Sequence, residues 1–192
     1  MMFYYGDMGL EVPENIYYPR EDSLLLAKSL ERLERKGKKC LEIGCGSGFL
    51  SILMAKEGAK VSATDISEHA VAVAMENARH NKADIEFFFS DLFEKITGTF
   101  DLIVFNPPYL PVDDEYTHES YDGGKTGRAV IGRFLEGAKG RLTENGKILL
   151  LISSLTGEKE VIEFAESCGF TPEVLAREKI DWEELIVLGL RG

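Results

Sequence analysis

The sequence predicts an α/β fold in which helices cover both faces of a mostly parallel sheet. Segments of strand and helix character alternate along most of the 192 residues. A glycine-rich turn joins the first strand of this series to the helix that follows it, and the last two strands have no helix between them. Strands connected by helices pair in parallel, whereas two strands without a crossover helix are expected to pair antiparallel.

The individual elements follow from hydrophobic periodicity and from breakers. Residues 1–19 are aromatic and contain Pro13 and Pro19, which predicts an irregular segment. From Glu21 to about Lys36, apolar residues recur at helical spacing, and acidic residues stand in the first turn, where the helix dipole favours them. The remaining predicted strands cover residues 38–43, 59–64, 85–89, 100–105, 146–152, 170–176 and 184–189, and the remaining helices cover about 49–55, 68–80, 128–141 and 157–168.

Composition and charge narrow the classes of function. The length predicts one domain over residues 1–192, with an N-terminal segment and helix at 1–37 before a core at 38–192. No apolar run approaches the ~20 residues that span a bilayer, and no signal peptide is visible, which predicts a cytoplasmic protein that does not bind membranes. The net charge of −11 argues against a nucleic-acid substrate. The cysteines and histidines lack metal-ligand spacing, so we expect no metal site.

The stretch Asn106-Pro107-Pro108-Tyr109 follows the predicted strand at 100–105. Each proline lacks a backbone N–H and favours an extended residue before it, so the strand stops and the chain leaves it stiff. The Asn106 side-chain carbonyl and nearby backbone carbonyls then form a group of acceptors beside the Tyr109 ring. This arrangement suits a planar NH₂ group, although the stretch alone is equally consistent with a proline-rich turn.

A second candidate site lies at Gly44-Cys45-Gly46-Ser47-Gly48, between a predicted strand and a helix. Glycines allow a tight turn and close approach to a ligand. Asp65 ends the next strand about 20 residues later, where an acidic side chain can accept from both hydroxyls of a ribose. However, Phe49 occupies the place of the third glycine in the dinucleotide fingerprint G-x-G-x-x-G. This spacing argues against a nicotinamide dehydrogenase.

The turn from Glu42 to Gly48 resembles motif I of class I S-adenosylmethionine-dependent methyltransferases. Asp65 and Asp91-Leu92 stand where that family has its ribose and adenine contacts. The Asn-Pro-Pro-Tyr stretch resembles motif IV of members that methylate planar nitrogens, namely glutamine amides and the exocyclic amines of bases. The resemblance implies a Rossmann-like, seven-stranded, mostly parallel sheet with an antiparallel C-terminal strand.

Two further stretches are similar to the HemK-like branch found in archaea and eukaryotes. The stretch from Tyr18 to Leu26 resembles its P-x-E-D-[ST]-x-L-L signature, and residues 123–128 match its G-G-x-x-G-R. That branch methylates N5 of the glutamine in the Gly-Gly-Gln motif of class I translation release factors. Bacterial relatives carry an extra N-terminal helical domain, for which residues 1–37 leave no room.

The resemblance implies S-adenosylmethionine as methyl donor and a site without a dedicated base. Asn106 and the Pro107 carbonyl would accept the two hydrogens of the substrate amide, and Tyr109 would pack against its plane. Glu42 and Asp22 are candidates to meet the ammonium group of the cofactor. The predicted catalytic residues are Asn106, Pro107 and Tyr109, the substrate-binding residues add Pro108, and the cofactor-binding residues are Ser23, Glu42, Gly44, Cys45, Gly46, Gly48, Asp65, Ile66, Asp91, Leu92 and Asn106.

Two other functions remain open from the sequence. An adenine-N6 methyltransferase on DNA or RNA uses the same tetrapeptide, but the acidic composition and short length disfavour it. A non-catalytic binding subunit on a methyltransferase fold is a different class, and it is disfavoured because both motifs are intact.

The stretch Phe87-Phe88-Phe89 lies in the third predicted strand, which is a sheet edge in the usual methyltransferase order. It is unusually apolar for an unprotected edge. Burial under helices is one explanation, and addition of a strand by another protein is the other. The resemblance favours a partner, because relatives in this branch work with a small zinc-ribbon activator.

Overall fold

The structure is a computed structural model, and it describes residues 1–108 and 127–192. The strands are β1 (Met2–Tyr5), β2 (Met8–Glu11), β3 (Lys39–Ile43), β4 (Lys60–Asp65), β5 (Ile85–Phe89), β6 (Phe100–Phe105), β7 (Leu142–Ser153), β8 (Thr171–Lys179) and β9 (Glu184–Arg191). The helices are α1 (Glu21–Glu31), α2 (Phe49–Lys56), α3 (Glu68–His80), α4 (Ala129–Ala138) and α5 (Glu158–Ser167), with a short 3₁₀ helix at Ser154–Thr156.

The main sheet has seven strands within the described ranges, in the order β5-β4-β3-β6-β7-β9-β8. The strands from β5 to β7 pair in parallel. β9 runs antiparallel to both of its neighbours, β7 and β8. The predicted fold class is therefore confirmed, including the antiparallel C-terminal strand, and β5 lies at the sheet edge as expected.

The prediction of an irregular segment over residues 1–19 is wrong for its first part. β1 and β2 form an antiparallel hairpin with Phe3 opposite Leu10. Phe3, Met8 and Leu10 are buried whereas Tyr4 is exposed. One face of the hairpin therefore packs on the core and the other faces solvent. Gly6 has a φ of 56° in the turn, a conformation that glycine adopts without strain.

Two predicted element boundaries also differ from the structure. α1 ends at Glu31, before the predicted Lys36, and the chain then folds inward. The buried Arg35 side chain donates to the Leu33 carbonyl at 3.0 Å and lies 2.5 Å from a carboxylate oxygen of Glu57. A helix continued through this region would not place Arg35 on these partners. β7 begins at Leu142, earlier than predicted, and pairs with β6 through a register irregularity.

The core forms two layers because side chains of the central strands alternate between the two faces of the sheet. Cys40, Leu102 and Leu149 belong to the cluster that also contains apolar residues of α1, α2 and the hairpin. Leu41 and Ile103 belong to the cluster formed with α4 and α5. Strands buried on both faces explain why β3, β6 and β7 read as continuous apolar runs.

The order of the strands determines where a ligand can bind. β3 has β4 on one side and β6 on the other, so the chain changes direction across the sheet at β3. In open α/β sheets, ligands bind outside the carboxyl ends of the strands at such a switch point. Over residues 1–108 and 127–192, no helix combines the length and apolarity needed to cross a membrane.

Candidate active site

A cleft of about 1040 Å³ opens at the carboxyl ends of β3, β4, β5 and β6. It is also bordered by the segment before α1 and by the β8–β9 turn. Most predicted site residues line this cleft: Ser23, Glu42, Gly44, Cys45, Gly46, Asp65, Ile66, Asp91, Leu92, Asn106, Pro107 and Pro108. Gly48 is not among the lining residues, and Tyr109 lies outside the described residues, as do Gly123 and Gly124 of the proposed G-G-x-x-G-R stretch.

The glycine-rich turn is held in shape by backbone hydrogen bonds. Gly44 and Gly46 have φ values of 70° and 51°, and the turn ends at the N-terminus of α2. The Cys45 N–H donates to the Thr64 carbonyl at 2.8 Å, which ties the turn to β4. Burial raises the pKa of the Cys45 thiol well above its usual range, so this cysteine is not a nucleophile.

Gly48 is explained by packing between helices. Its φ is 82°, and a Cβ at this position would lie 3.1 Å from the Cβ and 3.2 Å from the Cα of Ala74 in α3. A glycine here therefore allows α2 to begin close against α3. Its assignment to the cofactor set stays a prediction.

Asn77 of α3 holds the glycine-rich turn in place through hydrogen bonds. This buried side chain donates to the carbonyls of Ser47 and Glu11, each at 2.9 Å, and accepts from the Glu11 N–H at 2.8 Å. One amide therefore links the turn to the N-terminal hairpin. The sequence reasoning missed Asn77 because nothing in a helical pattern indicates which distant carbonyls a buried amide will meet.

Asp65 connects the end of β4 to the glycine-rich turn. One carboxylate oxygen accepts from the Gly46 N–H and the other from the Ser67 N–H, both at 2.9 Å. A carboxylate offers about four acceptor positions, so each oxygen keeps capacity for a hydroxyl group of a ligand. Burial raises the pKa of Asp65, and the backbone donors oppose that shift.

Glu42 lies buried near the end of β3, at the base of the cleft. It accepts a hydrogen bond from the Ser51 hydroxyl. Burial raises its pKa to about 8, the Ser51 hydrogen bonds oppose the shift, and the nearby Asp65 charge adds to it. An acidic group desolvated in this way favours a cationic ligand, which would offset the cost of ionising it.

Asp91 and Leu92 follow β5 along the rim of the cleft. Leu92 has a φ of 46°, which is uncommon for a residue with a side chain. The Asp91 carboxylate is 2.5 Å from a guanidinium nitrogen of Arg133 in α4, and both side chains remain partly exposed. Any ligand that contacts Asp91 must share that carboxylate with Arg133, which the sequence reasoning missed because the two residues lie on different elements.

Asn106 directly follows β6 and faces the first turn of α1. Its amide nitrogen donates to a carboxylate oxygen of Asp22 at 3.1 Å and to the Ser23 hydroxyl at 3.4 Å. Its side-chain oxygen is buried and has no hydrogen-bond partner within residues 1–108 and 127–192. A buried acceptor without a partner is costly, and it marks the position where a ligand N–H would be held.

Among residues 1–108 and 127–192, the histidines and cysteines do not gather into a metal site. No group of three or more His, Cys, Asp or Glu side chains with suitable geometry occurs in the described part of the chain. His69 is exposed and contacts Asn15 at 3.2 Å.

Known proteins resemble this chain in sequence and in fold. The family described as Methyltransferase small domain matches residues 21–179. A Methanocaldococcus jannaschii protein named as a protein N5-glutamine methyltransferase is 46% identical over 185 residues, which cover 93% of each chain. The release factor glutamine methyltransferase of Lactococcus lactis is 36% identical, over 90% of this chain and 68% of its own.

A solved structure has a similar fold. It is the Mtq2 protein of E. cuniculi, solved in complex with Trm112, a complex responsible for methylation of the translation termination factor eRF1. The TM-score is 0.77 at 27% identity, and the match covers 92% of this chain and 98% of that chain.

Proposed function

The chain belongs to the methyltransferase small domain family, and from this premise we propose that it transfers a methyl group from S-adenosylmethionine to N5 of a glutamine in a protein. The observation that carries the proposal is the side-chain oxygen of Asn106 at the edge of the cleft, which is buried and has no hydrogen-bond partner in the part of the chain that the structure describes. This oxygen can accept a hydrogen bond, and the NH₂ group of a substrate carboxamide can donate one to it.

The cleft residues fit S-adenosylmethionine, whose sulfonium group supplies an electrophilic methyl when bound. Asp65 would accept from the ribose hydroxyls with the capacity left by its two backbone donors. Glu42, desolvated at the base of the cleft, would meet the ammonium group. Asp91 and Leu92 would border the adenine. Ser23 would meet the carboxylate only by turning its hydroxyl away from Asp22, to which it donates at 3.1 Å.

The acceptor nitrogen is held by oxygens of one short segment. An amide nitrogen is a poor nucleophile because its lone pair is delocalised into the carbonyl. In the proposed mechanism, the Asn106 side-chain oxygen and the Pro107 carbonyl accept its two hydrogens and fix its direction of attack. As the N–C bond forms, these acceptors also share the positive charge that develops on nitrogen, and the surplus proton of the methylated amide is then lost to water. Such positioning contributes up to ~7–11 kcal/mol in reference reactions, so the site needs no separate base.

We further propose that the substrate is a class I translation release factor, methylated at the glutamine of its Gly-Gly-Gln motif. The names of the Lactococcus lactis and E. cuniculi relatives support this assignment. Trp182, in the turn between β8 and β9, would contact the polypeptide around that glutamine. Its side chain is 90% exposed, and its neighbours Ile180 and Glu183 line the cleft.

A small partner protein is proposed at the edge of the sheet. β5 pairs with β4 on one side only within the described residues, and Phe89 is 42% exposed. Phe87 and Phe88 are half-buried, so helices do not fully cover this strand. The E. cuniculi relative was solved in complex with Trm112. The small zinc-ribbon partner that the family resemblance implies would add a strand along β5.

The first experiment measures transfer of radiolabelled methyl from S-adenosylmethionine to the matched release factor. The Gly-Gly-Gln→Gly-Gly-Ala factor and bulk nucleic acid are assayed in parallel, each with and without the small partner. We expect label on the wild-type factor alone. Label on nucleic acid and none on the factor would refute the proposal in favour of an adenine methyltransferase.

The second experiment tests the acceptor oxygen. Asn106→Ala should lower kcat by about 10²–10³-fold, the range found when one preorganised polar group is removed from a reaction centre. Cofactor affinity should change little, as measured by calorimetry. Turnover close to wild type would remove Asn106 from the mechanism.

A further inference from the structure

Asp22 lies beside the cleft but is already fully engaged by the protein. The residue is 2% exposed. One carboxylate oxygen accepts from the Ser23 N–H at 2.5 Å and from the Ser23 hydroxyl at 3.1 Å. The other accepts from the Tyr17 hydroxyl at 2.7 Å and from the Asn106 amide nitrogen at 3.1 Å. These donors occupy the four acceptor positions of a carboxylate, which leaves little capacity for a ligand ammonium group.

The carboxylate determines which end of the Asn106 amide faces the ligand. A carboxamide can be rotated to exchange its oxygen and nitrogen, and only its surroundings select one arrangement. Asp22 is an acceptor and cannot face another oxygen favourably. It therefore holds the NH₂ end of Asn106, and the carbonyl end is left for the cleft, where it has no partner in the described part of the chain.

We propose that Asp22 is a positioning residue that orients the Asn106 carboxamide with its oxygen toward the methyl acceptor, and that Tyr17 supports it. This inference rests on the proposed function of Asn106 as the acceptor of a substrate N–H. Asp22 does not itself touch the substrate or the cofactor. In the opposite orientation, Asn106 would present NH₂ to the substrate NH₂, and two donors would face each other.

The variant Asp22→Asn tests whether Asp22 sets the orientation of the Asn106 amide. Its side chain has one oxygen where the carboxylate has two, and that oxygen must serve the Ser23 backbone N–H, which cannot turn away. The new NH₂ group then faces Tyr17, whose hydroxyl can accept as well as donate, and Asn106, which must present its oxygen. The substitution is nearly isosteric, so it rotates the Asn106 amide without emptying the site.

We therefore expect Asp22→Asn to lower kcat by roughly 10²-fold, the loss that a small misplacement of a positioned group can cause. The Kd of S-adenosylmethionine should stay within about twofold, and the melting temperature should stay close to wild type. Tyr17→Phe keeps the hydrogen bond between the Asp22 carboxylate and the Asn106 amide, and it should lower kcat much less than Asp22→Asn does. Asp84→Asn, an exposed aspartate of the same type, is the matched control and should leave kcat unchanged.

A double-mutant cycle separates positioning from general stability. If Asp22 acts through Asn106, Asp22→Asn will add no further loss of kcat in an Asn106→Ala background. A rescue variant tests the same point: in Asp22→Asn with Asn106→Asp, the new carboxylate accepts from the new amide and still offers an oxygen to the substrate. It should be more active than Asp22→Asn alone. Additive losses in the cycle would overturn the inference.

A readout without turnover completes the test. The side-chain NH₂ signals of Asn106, assigned by their loss in Asn106→Ala, should exchange slowly with water in the wild type and faster in Asp22→Asn. Unchanged exchange and unchanged kcat in Asp22→Asn would refute the role of Asp22. A weakened cofactor Kd with normal kcat would instead place Asp22 on the cofactor. Wild-type protein that methylates no glutamine would refute the proposed function, whereas the exchange measurement would still decide on Asp22.

Discussion

The proposed pairing of Glu42 with the ammonium group of the cofactor predicts that cofactor binding depends on pH. Its pKa is raised to about 8 because it is buried at the base of the cleft. At pH 7 the free protein therefore holds Glu42 mostly protonated. For the ammonium group of the cofactor to pair with the Glu42 carboxylate, Glu42 must first lose this proton, which costs about 1.4 kcal/mol at pH 7. Binding should accordingly strengthen as the pH rises toward 8.

The magnitude follows from the same pKa. With a value of about 8, the apparent Kd of S-adenosylmethionine should fall by about ninefold between pH 6 and pH 7. An α-amino group has a pKa of about 7.7–8.0, so the cofactor itself stays largely cationic over this interval. Close to one proton should be released for each cofactor bound at pH 7.

Isothermal titration calorimetry in buffers of different ionisation enthalpy measures both quantities. Glu42→Gln cannot ionise, and it should bind more weakly with a nearly flat pH dependence. Glu94→Gln replaces an exposed glutamate and should behave as wild type. A wild-type Kd that is independent of pH, or a Glu42→Gln variant with the wild-type slope, would refute the pairing of Glu42 with the ammonium group.

The same shift affects the stability of the unliganded protein. A carboxyl whose pKa is higher in the folded state than in the unfolded state contributes stability below the unfolded value, near 4.5, and loses it as the pH rises toward 8. As the pH rises over this range, the melting temperature of the wild type should therefore fall relative to that of Glu42→Gln.

Three other substitutions test separate parts of the site. Gly48→Ala should destabilise the protein by about 1–3 kcal/mol, because a side chain is strained at its positive φ and crowds Ala74; an unchanged denaturant midpoint would contradict this. Asp65→Ala should weaken cofactor binding in calorimetry, and equal affinity would remove Asp65 from the site. Trp182→Ala should raise KM for the protein substrate at constant cofactor Kd, with the exposed Tyr4→Ala as control; an unaltered KM would exclude Trp182 from substrate contact.

The parts of the fold that the sequence predicted are those encoded by contiguous residues. The end of β6 directly before Asn106 follows from two prolines, and the turn after β3 follows from closely spaced glycines. The N-terminal hairpin was missed because its strands are only four residues each, too short for alternation to stand out among aromatic residues.

The supporting residues of the site could not be predicted in the same way. Asp22 precedes Asn106 by 84 positions, and Asp91 and Arg133 are 42 positions apart. Their contacts depend on the strand order and on the direction of each side chain, neither of which a local pattern contains. The sequence therefore identified the groups proposed to meet ligands, and the structure identified the partners that hold those groups in place.

The link that Asn77 makes has a consequence for motion. Its amide joins the glycine-rich turn to the Glu11 backbone, so the two cannot open independently without breaking a buried hydrogen bond. A ligand that restrains the turn also restrains the hairpin, and the free energy of opening either segment includes that of the other. The hairpin, although outside the cleft, thus belongs to the same cooperative unit as the glycine-rich turn, and slower amide exchange at Glu11 would report that a ligand has bound.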